Sequence, residues 1–291
     1  MAEGYWVIRT YEAGQVGEKI KFWCPGKRPT KSGRRERAEL KKQEQNGYAC
    51  VKNAARVLNA NFREGDLLIG LDYSDEGLRK LEARAFSETT SRARGGAEEL
   101  RSDSVGDGKI DSTSSAADAA PSPQGEGCEA IRQAAEKELI NCLRRVKREL
   151  QKAGIELRYH LAITSDMDGD TGEQVRVHHH LVVNREAREA FFRKWTLGGV
   201  FSEPLARQKD YTALAEYLLR QVRRVKDEKK YTCSRNLIRP QPRDRVALSD
   251  AEVRVPKGGE LLFRGAYRPG KPQYIRYVLP ERGKDPSLRS G

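Results

Sequence analysis

Cysteine, histidine and long apolar runs are scarce in this chain, and each scarcity excludes something. The five cysteines (Cys24, Cys50, Cys128, Cys142 and Cys233) are odd in number, scattered, and form no C-x-x-C pair. That spacing signals neither a disulfide framework nor a cysteine-based zinc site. No apolar run approaches the roughly 20 residues that a membrane span needs, so no membrane partner is expected. The opening MAEGYWVIRTYEAG lacks the basic-then-apolar layout of a secretory leader, which points to a reducing, cytoplasmic compartment. One segment, 87–127, has no aromatic residue, and Leu100, Val105 and Ile110 are its only large aliphatics. Such a stretch buries too little apolar surface to offset its ordering entropy, and a disordered insertion is the expectation.

Positive charge is abundant. Lys and Arg number 55 against 42 Asp and Glu, a net of +13 over 291 residues. Segment 87–127 contains four basic and eight acidic residues, so the rest of the chain carries +17. A polyanion is the simplest partner for such a surface.

Apolar spacing sketches the elements. WVIRT (6–10), KIKFWCP (19–25) and LLIGLDYS (67–74) read as strands, and about 37–59 and 74–86 as helices. Over 129–153, Ile131, Ala135, Leu139, Cys142, Leu143, Val146 and Leu150 recur at three- and four-residue steps, the stripe of an amphipathic helix. Residues 155–164 alternate, with Ile155, Leu157, Tyr159, Leu161 and Ile163 on one face and Glu156, Arg158, His160 and Thr164 on the other. An Asp- and Gly-rich turn then leads to QVRVHHHLVVN (174–184), completing an antiparallel hairpin. Helices are expected at 185–195 and about 209–226, and strands at 253–256, 260–265 and 273–280. The class is α+β, with a central antiparallel sheet, flanking helices and one disordered insertion.

Three of the four histidines are consecutive: His178, His179 and His180. In a strand His178 and His180 share a face, while His179 joins Val177, Leu181 and Val183 on the other. Two imidazoles roughly 6–7 Å apart along a strand can converge on one cation. The neighbouring strand offers His160 or Asp166 as a third ligand, since His160, Thr164 and Asp166 share a face if that strand is regular. With two histidines and an oxygen ligand, Mg²⁺ or Mn²⁺ suits phosphate chemistry.

The helix at 209–226 supplies a second constellation. Tyr211, Leu214, Ala215, Leu218, Val222 and Val225 form its core stripe, and Tyr217 lies off it with Ala213, Arg220, Gln221 and Arg224. A tyrosine on a basic helical face is suited to attack a phosphodiester while nearby cations stabilise the developing charge. The basic loop KRPTKSGRRER (27–37), with Lys27, Arg28, Lys31, Arg34 and Arg35, and the helix residues Arg223 and Arg224 are candidate phosphate contacts.

VHHHLVVN (177–184) followed by AEYLLR (215–220) resembles the rolling-circle replication initiators of the HUH endonuclease superfamily. NF-x-x-GDLLIGLDY (61–73), KWTLGG (194–199) and SRNLIRP (234–240) resemble flanking segments of phage and integrative-element members of that group. The resemblance implies a nicking and joining enzyme in a bacterial host cell. A divalent cation, Mg or Mn, would be held by His178 and His180, and Tyr217 would form a 5′-phosphotyrosine link to single-stranded DNA at an origin. The free 3′-OH would pass to the host replication machinery. Arg220 stands where many relatives have lysine; it keeps the charge but is a poor proton donor. The implied division is 1–86 for the first part of the nuclease domain, 87–127 for the insertion, 128–240 for the catalytic core and 241–291 for a strand-rich extension. Two other readings remain: a relaxase-type mobilisation protein using Tyr5 or Tyr11, and a DNA-binding protein with structural histidines.

Overall fold

The computed structural model describes residues 4–25, 39–99, 123–222, 231–247 and 249–280. Strands β1 (Tyr5–Ala13) and β2 (Val16–Cys24) pair as a hairpin closed at Gly14, whose φ of 60° suits a residue without Cβ. Helix α1 (Glu39–Asn61) follows, then β3 (Leu67–Asp72), α2 (Asp75–Glu99), α3 (Pro123–Lys152), β4 (Tyr159–Met167) and β5 (Gln174–Val183). A 3₁₀ turn (Arg185–Ala187) leads into α4 (Arg188–Lys194), β6 (Val200–Pro204) and α5 (Thr212–Arg220). The chain closes with β7 (Arg243–Ala247), β8 (Glu260–Arg264) and β9 (Gln273–Val278).

The strands form two antiparallel sheets. One is five-stranded, in the order β7-β1-β2-β9-β8, and draws on both ends of the chain. The other is four-stranded, β4-β5-β3-β6, and carries the histidine triplet. The α+β class is as the sequence implies. Among the described residues no helix is long and apolar enough to cross a membrane, and all five cysteines are free thiols.

The four-stranded sheet is covered on both faces. Leu67, Ile69, Leu71, Val177, Leu181 and Val183 pack on one side against the α3 stripe of Ala135, Leu139, Cys142, Val146 and Leu150. Ile163 and Val182 pack on the other side against Leu58 of α1 and Ala215 and Leu218 of α5. On α5 the buried residues Tyr211, Ala215, Leu218 and Val222 match the expected stripe.

Several expectations are corrected. Helix α2 continues through Glu99, so 87–99 is helical rather than disordered. Residues 100–122 lie outside the described residues. Helix α5 ends at Arg220, short of 226, and 253–256 is not a strand. Strands β6 and β7, short and poor in apolar alternation, were not expected.

The largest correction lies in β4. A register shift between His160 and Ile163 places one extra residue on that strand, and Leu161 adopts φ 50° there. A bulge reverses the alternation beyond it. Leu161 and Ile163 therefore join the α1/α5 side, while Leu157 and Ala162 join the α3 side. The single apolar face expected over 155–163 is split between two cores.

Candidate active site

The histidine triplet lies in the middle of the four-stranded sheet. His178 is the Cα partner of Asp72 on β3 and Ser165 on β4; His180 is the partner of Gly70 and Ile163. Directly opposed residues in an antiparallel pair share a face. His178 and His180 thus lie on the face that carries α1 and α5, and both are half-buried. Their ring centroids are 4.8 Å apart with the planes perpendicular.

Nδ1 of His178 is 2.8 Å from the Arg176 carbonyl. A carbonyl only accepts, so Nδ1 donates to it and Nε2 is the nitrogen left to face a ligand, the arrangement a backbone carbonyl gives to metal-ligating histidines. Burial, with a smaller contribution from His178, pushes the His180 imidazole down to about 4, leaving it neutral and able to donate electrons at neutral pH.

His179 points the opposite way, as expected, and is fully buried. Tyr73 Oη is 2.9 Å from its Nε2, and Thr164 Oγ1 is 3.0 Å from its Nδ1. Its ring also meets Trp195 edge-on at 5.6 Å. Burial, reinforced by His178 and His180, drives its ionisation down to about 3. A neutral ring with one donor and one acceptor satisfies both hydroxyls. Trp195 in turn donates from Nε1 to the Asp72 carbonyl at 2.9 Å. A Cβ on Gly198 would stand 2.0 Å from that same carbonyl oxygen, so only glycine allows the 197–199 loop to approach the end of β3.

Of the two residues expected to complete the ligand set, His160 is committed elsewhere. It is the strand partner of Val182 on the α1/α5 face, where Nε2 donates to the Ala54 carbonyl at 3.2 Å and the ring meets Tyr231 edge-on at 5.4 Å. Asp166 is buried and falls within a second register shift of β4, between Ser165 and Met167, so regular alternation does not set it beside His178. Among the described residues no group of three or more His, Cys, Asp or Glu side chains is arranged to hold a metal ion. The carboxylate that the register does set beside the pair is the exposed Asp72, directly across from His178. Its place depends on how β3 and β5 align, which no local sequence signal encodes.

Burial depresses the His160 imidazole to about 4. Unfolded, that group takes up a proton near pH 6.5; folded, it resists down to about 4. The unfolded state therefore binds more protons in this window, and stability falls as the pH drops from 6.5 towards 4. The loss from this residue is roughly 3 kcal/mol. Chemical denaturation followed across that range should show the decline; His160→Gln should remove this residue's share, and the shares of His179 and His180, which burial also depresses, should remain.

Tyr217 stands on the exposed side of α5 and is 45% exposed. The last turn of this helix is fastened beside the histidines. Ser165, the strand partner of His178, donates from Oγ to the Gln221 carbonyl at 2.7 Å. Gln221 is one helical turn beyond Tyr217, on the same helical side. A Cβ on Gly169 would stand 2.9 Å from Gln221 Cγ, so the hairpin turn also abuts this end of α5. Arg220 is exposed and lies 3.9 Å from Asp170 of that turn. Tyr5 and Tyr11 are on β1 in the other sheet, Tyr11 with the Arg56 guanidinium 3.6 Å from its ring centre. Lys27, Arg28, Lys31, Arg34, Arg35, Arg223 and Arg224 lie outside the described residues.

No family model matches the chain, and neither does any curated protein or solved structure. The site is thus known by its own geometry: a half-exposed imidazole pair, a carboxylate in register beside it, and a tyrosine-bearing helix tied to the adjoining strand.

Proposed function

We propose that this chain is a site-specific nuclease and strand transferase of the HUH type, cutting single-stranded DNA at an origin through a tyrosine–phosphodiester intermediate. The observation that carries the reading is the Ser165 link, which joins the helix of Tyr217 to the strand position paired with His178.

In this reading His178 and His180 would hold Mg²⁺ or Mn²⁺ through two nitrogen donors, with Asp72 the carboxylate that the strand register sets across from His178. The cation supplies Lewis-acid polarisation of the scissile phosphate. The Tyr217 phenolic oxygen attacks phosphorus and gives up its proton to water, forming a P–O bond to the enzyme. The P–O bond to the 3′ oxygen breaks, and that oxygen leaves as a 3′-OH after taking up a proton. Arg220 contributes fixed positive charge near the reacting phosphate. One phosphodiester replaces another, so attack by a 3′-OH reverses the link with no nucleotide cofactor, and the freed 3′ end serves the host replication machinery as a primer.

The test is incubation of the full chain with a pool of random-sequence single strands and Mn²⁺, then denaturing electrophoresis. A protease-sensitive protein–DNA adduct is expected, and EDTA should abolish it. His178→Ala and His180→Ala should each reduce it by at least about a hundredfold, the scale of losing a metal-site interaction. Full activity of the His180→Ala protein would overturn the two-imidazole site. A chain that binds the strands yet never forms the adduct is a DNA-binding protein whose histidines are structural.

A further inference from the structure

One row of the four-stranded sheet runs Ile163, His180, Gly70, Phe201 across β4, β5, β3 and β6. Being mutually opposed, these residues face the same side. Ile163 is sealed under the helices, His180 is half-buried, and Phe201 at the sheet edge is 76% exposed. Between the last two, Gly70 has no side chain. A Cβ built there would stand 3.3 Å from the Phe201 Cβ, closer than ordinary van der Waals contact, so a side chain at this position would crowd the ring. With strands about 4.8 Å apart, the backbones of His180 and Phe201 are separated by roughly 10 Å over a bare floor.

Phe201 is not part of an apolar patch. Its neighbours along β6 are Val200, which turns into the opposite core, Ser202 and the exposed Glu203. A single flat ring at the margin of a polar site suits another flat ring better than it suits a protein surface, which needs a contiguous apolar area. Glu203 shares the Phe201 face two residues on, so a phosphate backbone is repelled from that end and favoured towards the histidines.

We infer that Phe201 is a stacking platform for a nucleobase of single-stranded DNA, with Gly70 the open floor beneath it and the adjoining phosphate at His178 and His180. The inference rests on the nicking reading for its ligand. It adds the element that orients the strand, since base stacking on an aromatic ring is strong and tolerant of sequence.

The experiment uses the full chain carrying Tyr217→Phe, which does not cut, and oligo(dT) strands with one 2-aminopurine placed at successive positions. Stacking quenches that fluorophore. Quenching at a restricted set of positions is expected, and Phe201→Ala should remove it and weaken binding about tenfold or more. Phe201→Trp should retain both properties, whereas Phe201→Leu, apolar but not flat, should behave like alanine. Because the ring is exposed, none of these should shift thermal unfolding. Unchanged quenching and affinity in Phe201→Ala, or parental binding by Phe201→Leu, would overturn the platform; so would a Phe201→Ala protein altered only in self-association. The two readings fail separately. Phe201-dependent quenching in a chain whose Tyr217 form makes no adduct overturns nicking and leaves the platform. Adducts formed equally well by Phe201→Ala, with unchanged affinity, do the reverse.

Discussion

Tyr217→Phe should abolish the covalent DNA adduct, by at least about a thousandfold, while leaving the folded protein intact. Removal of one oxygen takes away the only atom that can bond to phosphorus, and losses of a nucleophile are of this order or larger. The side chain is 45% exposed, so removing its hydroxyl opens no cavity in the core. Exposed substitutions of this kind stay within about 0.5 kcal/mol. Stability and DNA affinity are therefore expected to match the parent. Tyr5→Phe and Tyr11→Phe should keep the adduct, since both residues belong to the other sheet. Quantifying adduct by denaturing electrophoresis for the three variants decides among them. An adduct that survives Tyr217→Phe and disappears with Tyr5→Phe or Tyr11→Phe would move the nucleophile to β1 and the reading to a relaxase.

What could be read in the chain divides along a physical line. Features set by local periodicity were legible: the α3 stripe, the β4–β5 hairpin, the outward pair His178 and His180, and the inward His179. Each follows from side-chain direction repeating within one element. Features set by how elements align were not. His160 and Asp166 are natural choices on a regular strand, but His160 is spent on the Ala54 carbonyl and β4 carries register shifts after both His160 and Ser165, none of which the local residues announce. Asp72 and Phe201 enter the site only through the β3–β5 and β3–β6 registers. They come from segments whose own sequence speaks of a buried strand and a loop. Helix α5 was overextended for a related reason: its apolar spacing persists through Val222 and Val225, whereas helical hydrogen bonding stops at Arg220.

His179 matters to a site that it does not enter. Its ring occupies the core on the α3 side, and the strand that it anchors holds His178 and His180 on the other. Tyr73, Trp195 and Thr164 hold the ring from three elements. Trp195 extends that hold to the backbone of Asp72. The orientation of the reactive face is thus maintained from behind it.

His179→Ala should therefore be the most damaging substitution to stability among the three histidines. It empties a fully buried position, and it leaves the Tyr73 and Thr164 hydroxyls without their ring partner. A large-to-small core change and two orphaned polar groups together cost about 4 kcal/mol. For a chain of this size that is a fall of roughly 8–12 °C in Tm. His179→Phe separates the contributions: it restores the volume but not the hydrogen bonds, and about half the loss should remain. His178→Ala and His180→Ala, half-exposed on the opposite face, should shift Tm by no more than about 2 °C. Calorimetry of the four variants tests this directly. A His179→Ala protein as stable as the parent would mean that its ring does not occupy the core, and the alternation that sets His178 and His180 together would fall with it.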